Sequence, residues 1–158
     1  MSRIRFKKKF MKKVIRLLIA AVISIPMISS CGVAAPKSFK KAYDGGNWST
    51  VMVREDLSYD RAFGEVMDVI GRQFELDMIS KEGGYLRTNW IYTWNKKGKY
   101  TEKYRTRVVI KFSSDKSRVD IKSEAEFGGE PRWVKGFDTA LLTQVKQDIM
   151  GVVGSTVL

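Results

Sequence analysis

The chain has no histidine and one cysteine, Cys31, and both facts limit its chemistry before any fold is considered. Without imidazole there is no ordinary general base near neutral pH, no Ser/His nucleophile and no commonest zinc ligand. Carboxylates remain. Glu124-x-Glu126 lies on a segment of alternating polarity, where solvated salt bridges are a simpler use than a metal site. Asp56 and Asp60 read as a turn and a helix start. Gly83-Gly84 and Gly128-Gly129 lead into neither G-K-[ST] nor a G-x-G-x-x-G run, so no phosphate loop is expected. The chain is therefore read as a non-enzyme, with no catalytic residue, metal or cofactor.

Binding chemistry is better represented. Arg87, Arg105, Arg107, Lys111 and Lys122 fall on the polar side of alternating segments, with Lys96, Lys97, Lys99 and Lys103 around a loop. Only Glu102, Asp120, Glu124 and Glu126 oppose them there. Tyr85, Tyr92, Trp94 and Tyr100 are close in sequence, and Trp133 follows in P-R-W. Basic and aromatic groups together suit RNA, anionic head groups or acidic envelope polymers. The plain alternative is cross-strand pairing of the basic row with Asp120, Glu124 and Glu126. Trp94 and Trp133 are candidates for exposed anchors of a protein interface, or for covers over the open end of a sandwich. Trp90, on the apolar side of its segment, is expected in the core. The candidate binding surface is thus Arg87, Trp94, Arg105, Arg107, Lys111 and Trp133.

These residues need a sheet to carry them. Leu86–Trp94, Tyr104–Phe112 and Val119–Phe127 alternate apolar with polar positions, as an antiparallel meander with one wet face does. Thr50–Arg54 is a further short strand. Ser58 caps a helix with Asp60 in its first turn, followed by Ala62, Phe63, Val66, Met67, Val69, Ile70 and Phe74 at helical spacing. Asp138 caps a last helix with the stripe Leu141, Leu142, Val145, Ile149, Val152 and Val153. The expected order is β-α-β-β-β-α. Two amphipathic helices and one half-buried sheet satisfy each other when both helices share one face, which gives an α+β two-layer sandwich.

The net charge of +12 divides unevenly. Residues 1–30 hold eight basic side chains and no acidic one, which leaves 21 basic and 17 acidic beyond them. Most of the apparent nucleic-acid footprint thus belongs to the first 16 residues, and no nucleic acid is expected as a partner. Behind that basic flank, Leu17–Met27 is an apolar run broken by Ser24 and Pro26. It is shorter than the roughly 20 residues a membrane span requires and reads as a secretory signal. Ile28-Ser29-Ser30-Cys31 resembles the lipobox of bacterial lipoproteins, with Ile and Ser at positions where Leu and Gly or Ala are more usual. That resemblance implies a diacylglycerol on the Cys31 thiol, cleavage before Cys31 and acylation of the new amine. Gly32 in place of Asp then leans towards the outer membrane of a Gram-negative bacterium.

The expected organisation is a signal peptide over 1–30, a flexible tether over 31–47 and one domain over 48–158. A lipidated sole cysteine leaves no disulfide. The order of elements in 48–158 is similar to that of the helix-grip domains of the BamC lipoproteins, accessories of the outer-membrane β-barrel assembly machine. The resemblance rests on element order and implies a helix-grip-like fold without transferring any site residue. The functional expectation is a lipid-anchored, non-catalytic binding or assembly module of the cell envelope, with a membrane and an envelope protein as partners. The alternative is a carrier holding a small amphiphile or lipid between sheet and helices.

Overall fold

The computed structural model describes residues 34–42, 48–94 and 100–155, with the side chains of 93–94 and 100–102 left aside. The expected signal peptide and Cys31 lie outside the described residues. Eight strands and two helices follow in the order β1 (Phe39–Lys41), β2 (Ser49–Met52), α1 (Tyr59–Gly71), β3 (Leu76–Ser80), β4 (Tyr85–Thr88), β5 (Ile91–Trp94), β6 (Tyr100–Phe112), β7 (Arg118–Phe127), β8 (Val134–Asp138) and α2 (Thr139–Val153). The fold is α+β, with one antiparallel sheet.

Two long strands form its centre. β6 and β7 pair from Tyr104↔Phe127 to Phe112↔Val119. Each is long enough to hold two short strands along its other edge. β7 carries β2 near Arg118–Ile121 and β8 near Ala125–Phe127. β6 carries β4 near Val109–Lys111 and β5 over Tyr100–Thr106. β1 extends the sheet beyond β8, and β3 extends it beyond β4.

Both expected helices form where their caps place them. The Ser58 side chain accepts from the Arg61 amide, and Asp138 accepts from Ala140 and Leu141. Ala62, Phe63, Val66 and Ile70 of α1 and Val145, Ile149 and Val153 of α2 are buried in one core. The sheet supplies Val51, Leu86, Val108, Ile110, Phe112, Val119 and Ile121 to the same core. The Phe63 and Phe112 rings lie 5.8 Å apart, while Gln73 links the helices by hydrogen bonds to Asp148 and Gln144, each 2.9 Å. Both helices thus cover one face, and the opposite face carries the charged row.

Three departures from the expected layout have local causes. β1, β3 and β8 add to the expected strands; each has at most five residues, too few to establish a period. β1 arises within the stretch expected to be a tether: Phe39–Lys41 pairs with Gly136–Asp138, and the Phe39 ring packs edge-on against Tyr104. Residues 39–41 therefore belong to the sheet. The third departure is Trp90. Leu86 pairs with Ile110 and Arg87 with Val109, yet Ile91 pairs with Thr106, so one extra residue is inserted at 88–90. A single inserted residue reverses which side chains face the core. Past it Tyr92 meets Arg105 on the polar face. Trp90 also lies there, against Arg105 and Arg107, and not in the core.

Candidate functional site

The bulge that turns Trp90 outward builds the most elaborate cluster on the open face. Arg105 and Arg107 project from β6, between the buried Tyr104, Thr106 and Val108. Directly opposite on β7 stand Glu126 and Glu124. The Arg105 Nε donates to Glu126 Oε2 at 2.8 Å and its guanidinium also donates to Tyr92. The Arg107 Nε donates to Glu124 Oε2 at 2.6 Å, and Lys122 Nζ meets Glu124 Oε1 at 2.7 Å. Trp90 spans both arginines, 4.7 Å from one guanidinium and 4.4 Å from the other.

The β7–β8 connection adds the second tryptophan. Gly128 and Gly129 take φ of 119° and 85°, a region that favours glycine. A side chain at Gly128 would also come within 2.8 Å of the Arg132 carbonyl oxygen. The Gly128 amide donates to Lys103 of β6, which pins the loop and delivers Trp133 to 4.4 Å from the Arg105 guanidinium. Arg105 is therefore shared by two indoles and one carboxylate. Burial alone would lower its pKa, but the hydrogen bond it donates to Glu126 leads the effects that raise it, so it stays charged. Trp48 extends the row at the other end, 5.3 Å from Lys122 Nζ.

No protein-family model matches the chain, and a search of curated proteins finds no match. The function must be read from this face itself.

Arg105, Arg107 and Trp133 of the expected surface come together here. Arg87 stands apart, donating to Asp77 of β3 at 2.6 and 2.8 Å. Lys111 is exposed and makes no ion pair among the described residues. The Trp94 side chain lies outside the described residues, as do Lys96, Lys97 and Lys99. Two members were missed in the sequence: Trp90, hidden by the bulge, and Lys135 of β8, whose strand is too short to announce itself. A cleft of about 200 Å³ opens between them, lined also by Arg107, Glu124, Ala125, Glu126 and Gly136.

The electrostatics of the row hold Glu124 as an acceptor. Burial would raise the Glu124 pKa, but hydrogen bonds from Lys122 and Arg107 outweigh it and hold the carboxyl below its usual range. A carboxyl that acts as general acid needs the opposite shift. Among the described residues no group of three potential metal ligands converges. A second polar cluster surrounds Asp138, whose carboxylate accepts from Tyr104 (2.5 Å), Ser38 (2.8 Å) and two α2 amides. Burial, then this hydrogen bond, pushes the Tyr104 phenol far above its usual range. Its four donors come from Ser38 just before β1, from β6 and from α2, so this cluster is structural.

Proposed function

We propose that this protein is a non-catalytic binding or assembly module of the cell envelope. On this reading it is lipid-anchored through Cys31 and recognises an envelope protein through the open sheet face. The observation that carries the reading is the Trp90–Arg105–Trp133 stack. Trp and Arg are the residue types that anchor interfaces, and here they stand on a sheet face not covered by either helix. The non-catalytic part is supported by the lowered Glu124 and by the pairing of the arginines. The anchor and outer-membrane location rest on the lipobox-like tetrad and on Gly32. The helix-grip reading is supported by α2 lying across β2, β7 and β8. The carrier alternative loses support because Phe63 and Val66 fill the space beneath the helices, where a ligand cavity would have to be.

A photo-crosslinking amino acid placed at Lys111, on the rim of the open face, tests the proposal in intact cells. A control placed at Met150, exposed on α2, samples the other side. A discrete protein adduct from position 111 and none from 150 is expected. Adducts of equal yield from both positions, or none from 111, would reject the open face as the contact surface.

A further inference from the structure

We infer that the cleft between Trp90 and Lys135 is a binding site for a neutral saccharide, one sugar ring deep. The inference rests on the reading that the open face is a binding surface, but not on any protein partner.

The volume, about 200 Å³, lies below the roughly 300–1,000 Å³ of sites for drug-sized ligands. It suits one six-membered ring rather than a chain or a lipid tail. Trp90, whose ring also lies against the Arg105 and Arg107 guanidiniums, lines the cleft, and the part of the indole that faces it can pack against the weakly positive C–H groups of a pyranose ring. Around that wall stand unused hydrogen-bonding groups of both kinds. Glu126 spends Oε2 on Arg105, while Oε1 has no partner among the described residues. Arg107 donates through Nε to Glu124, and its terminal nitrogens make no hydrogen bond among the described residues. The Lys135 ammonium has no partner there either. Sugar hydroxyls both donate and accept, so one ring can use a carboxylate oxygen, a guanidinium N–H and an ammonium together.

Charged ligands fit this cleft less well. An anion would lie beside the carboxyl groups of Glu124 and Glu126, each paired with an arginine. A cation would have to displace Arg105 or Arg107 from Trp90. A neutral polyhydroxyl ligand breaks neither arrangement.

The test uses the full-length protein, purified from membranes in a detergent without a sugar head group. A glycan array of neutral, sulfated and phosphorylated saccharides is probed first, and each hit is titrated by calorimetry at low and high salt. Binding of a neutral saccharide, little changed by salt, is expected. Trp90→Ala should weaken it at least about 10-fold, and Lys135→Ala several-fold. Lys135 is exposed, so that variant remains informative should Trp90→Ala fail to fold; circular dichroism distinguishes the two cases. No retained saccharide, retention of sulfated or phosphorylated glycans alone, or binding that neither variant weakens would each overturn the inference. A position-111 crosslink with an empty array would reject the saccharide while leaving the protein-binding proposal standing.

Discussion

Asp138 and Glu124 show how differently two carboxylates can be used in one small domain. Asp138 is nearly buried and accepts from Ser38, Tyr104 and the amides of Ala140 and Leu141. Asp138→Ala removes a helix cap and leaves the Tyr104 hydroxyl buried without this acceptor. The expected cost is about 2–4 kcal/mol, read from the shift of a urea denaturation curve; a loss under about 1 kcal/mol would mean the network adds little. Glu124 sits in a half-buried row, bound by Arg107 and Lys122. Its pKa is lowered on folding, so its contribution is present above the unfolded value near 4.5 and is lost as pH falls through the folded value. Glu124→Gln should therefore cost about 1–3 kcal/mol at neutral pH, where Arg107 and Lys122 lose their partner. The gap between wild type and variant should narrow on acidification to about pH 3. A gap constant across that range would show that charge is not what Glu124 contributes.

At the scale of elements, β1 depends on a single glycine in its neighbour. A Cβ at Gly136 would stand 2.2 Å from the Lys40 carbonyl oxygen and 2.7 Å from the Phe39 ring. Gly136→Ala should force β1 off β8, unpack Phe39 from Tyr104 and Phe127, and cost about 2–3 kcal/mol. Hydrogen exchange is the direct check. The Ala42 amide, which donates to Lys135, should lose protection while β6 and β7 keep theirs; unchanged protection in β1 would refute the steric argument. This dependence also explains what could be read in the sequence. The helices and long strands were legible because Ser58, Asp138 and ten or more alternating positions each repeat one signal. β1, β3 and β8 are too short to repeat anything. Arg105, Arg107 and Trp133 were legible as candidates by residue type and alternation. Trp90 was misplaced because alternation is blind to an inserted residue: Thr88-Asn89-Trp90 contains no glycine or proline to mark the bulge. Lys135 was missed with β8.

At the scale of the whole chain, the question is which force would hold it at a membrane. No helix among the described residues is long and apolar enough to span a bilayer. Two attractions can be compared. Basic side chains contribute about 1 kcal/mol each near an anionic surface, and that contribution fades with salt. Beyond residue 30 the chain has only four more basic than acidic side chains, and Arg105 and Arg107 are committed to carboxylates. Lipid chains contribute about 0.8 kcal/mol per buried CH₂, which salt does not screen, and two or more chains hold firmly. On the proposed anchor the second term dominates. Washing membranes with about 1 M salt, where the screening length is roughly 3 Å, should leave the protein bound. Cys31→Ser should release it, and the mass of the Cys31 peptide from the wild-type protein should show the diacylglyceryl thioether. Release of the wild type by salt alone would assign the attachment to charge. Retention of Cys31→Ser on salt-washed membranes would remove the thiol from the explanation and, with it, the lipoprotein reading on which the compartment rests.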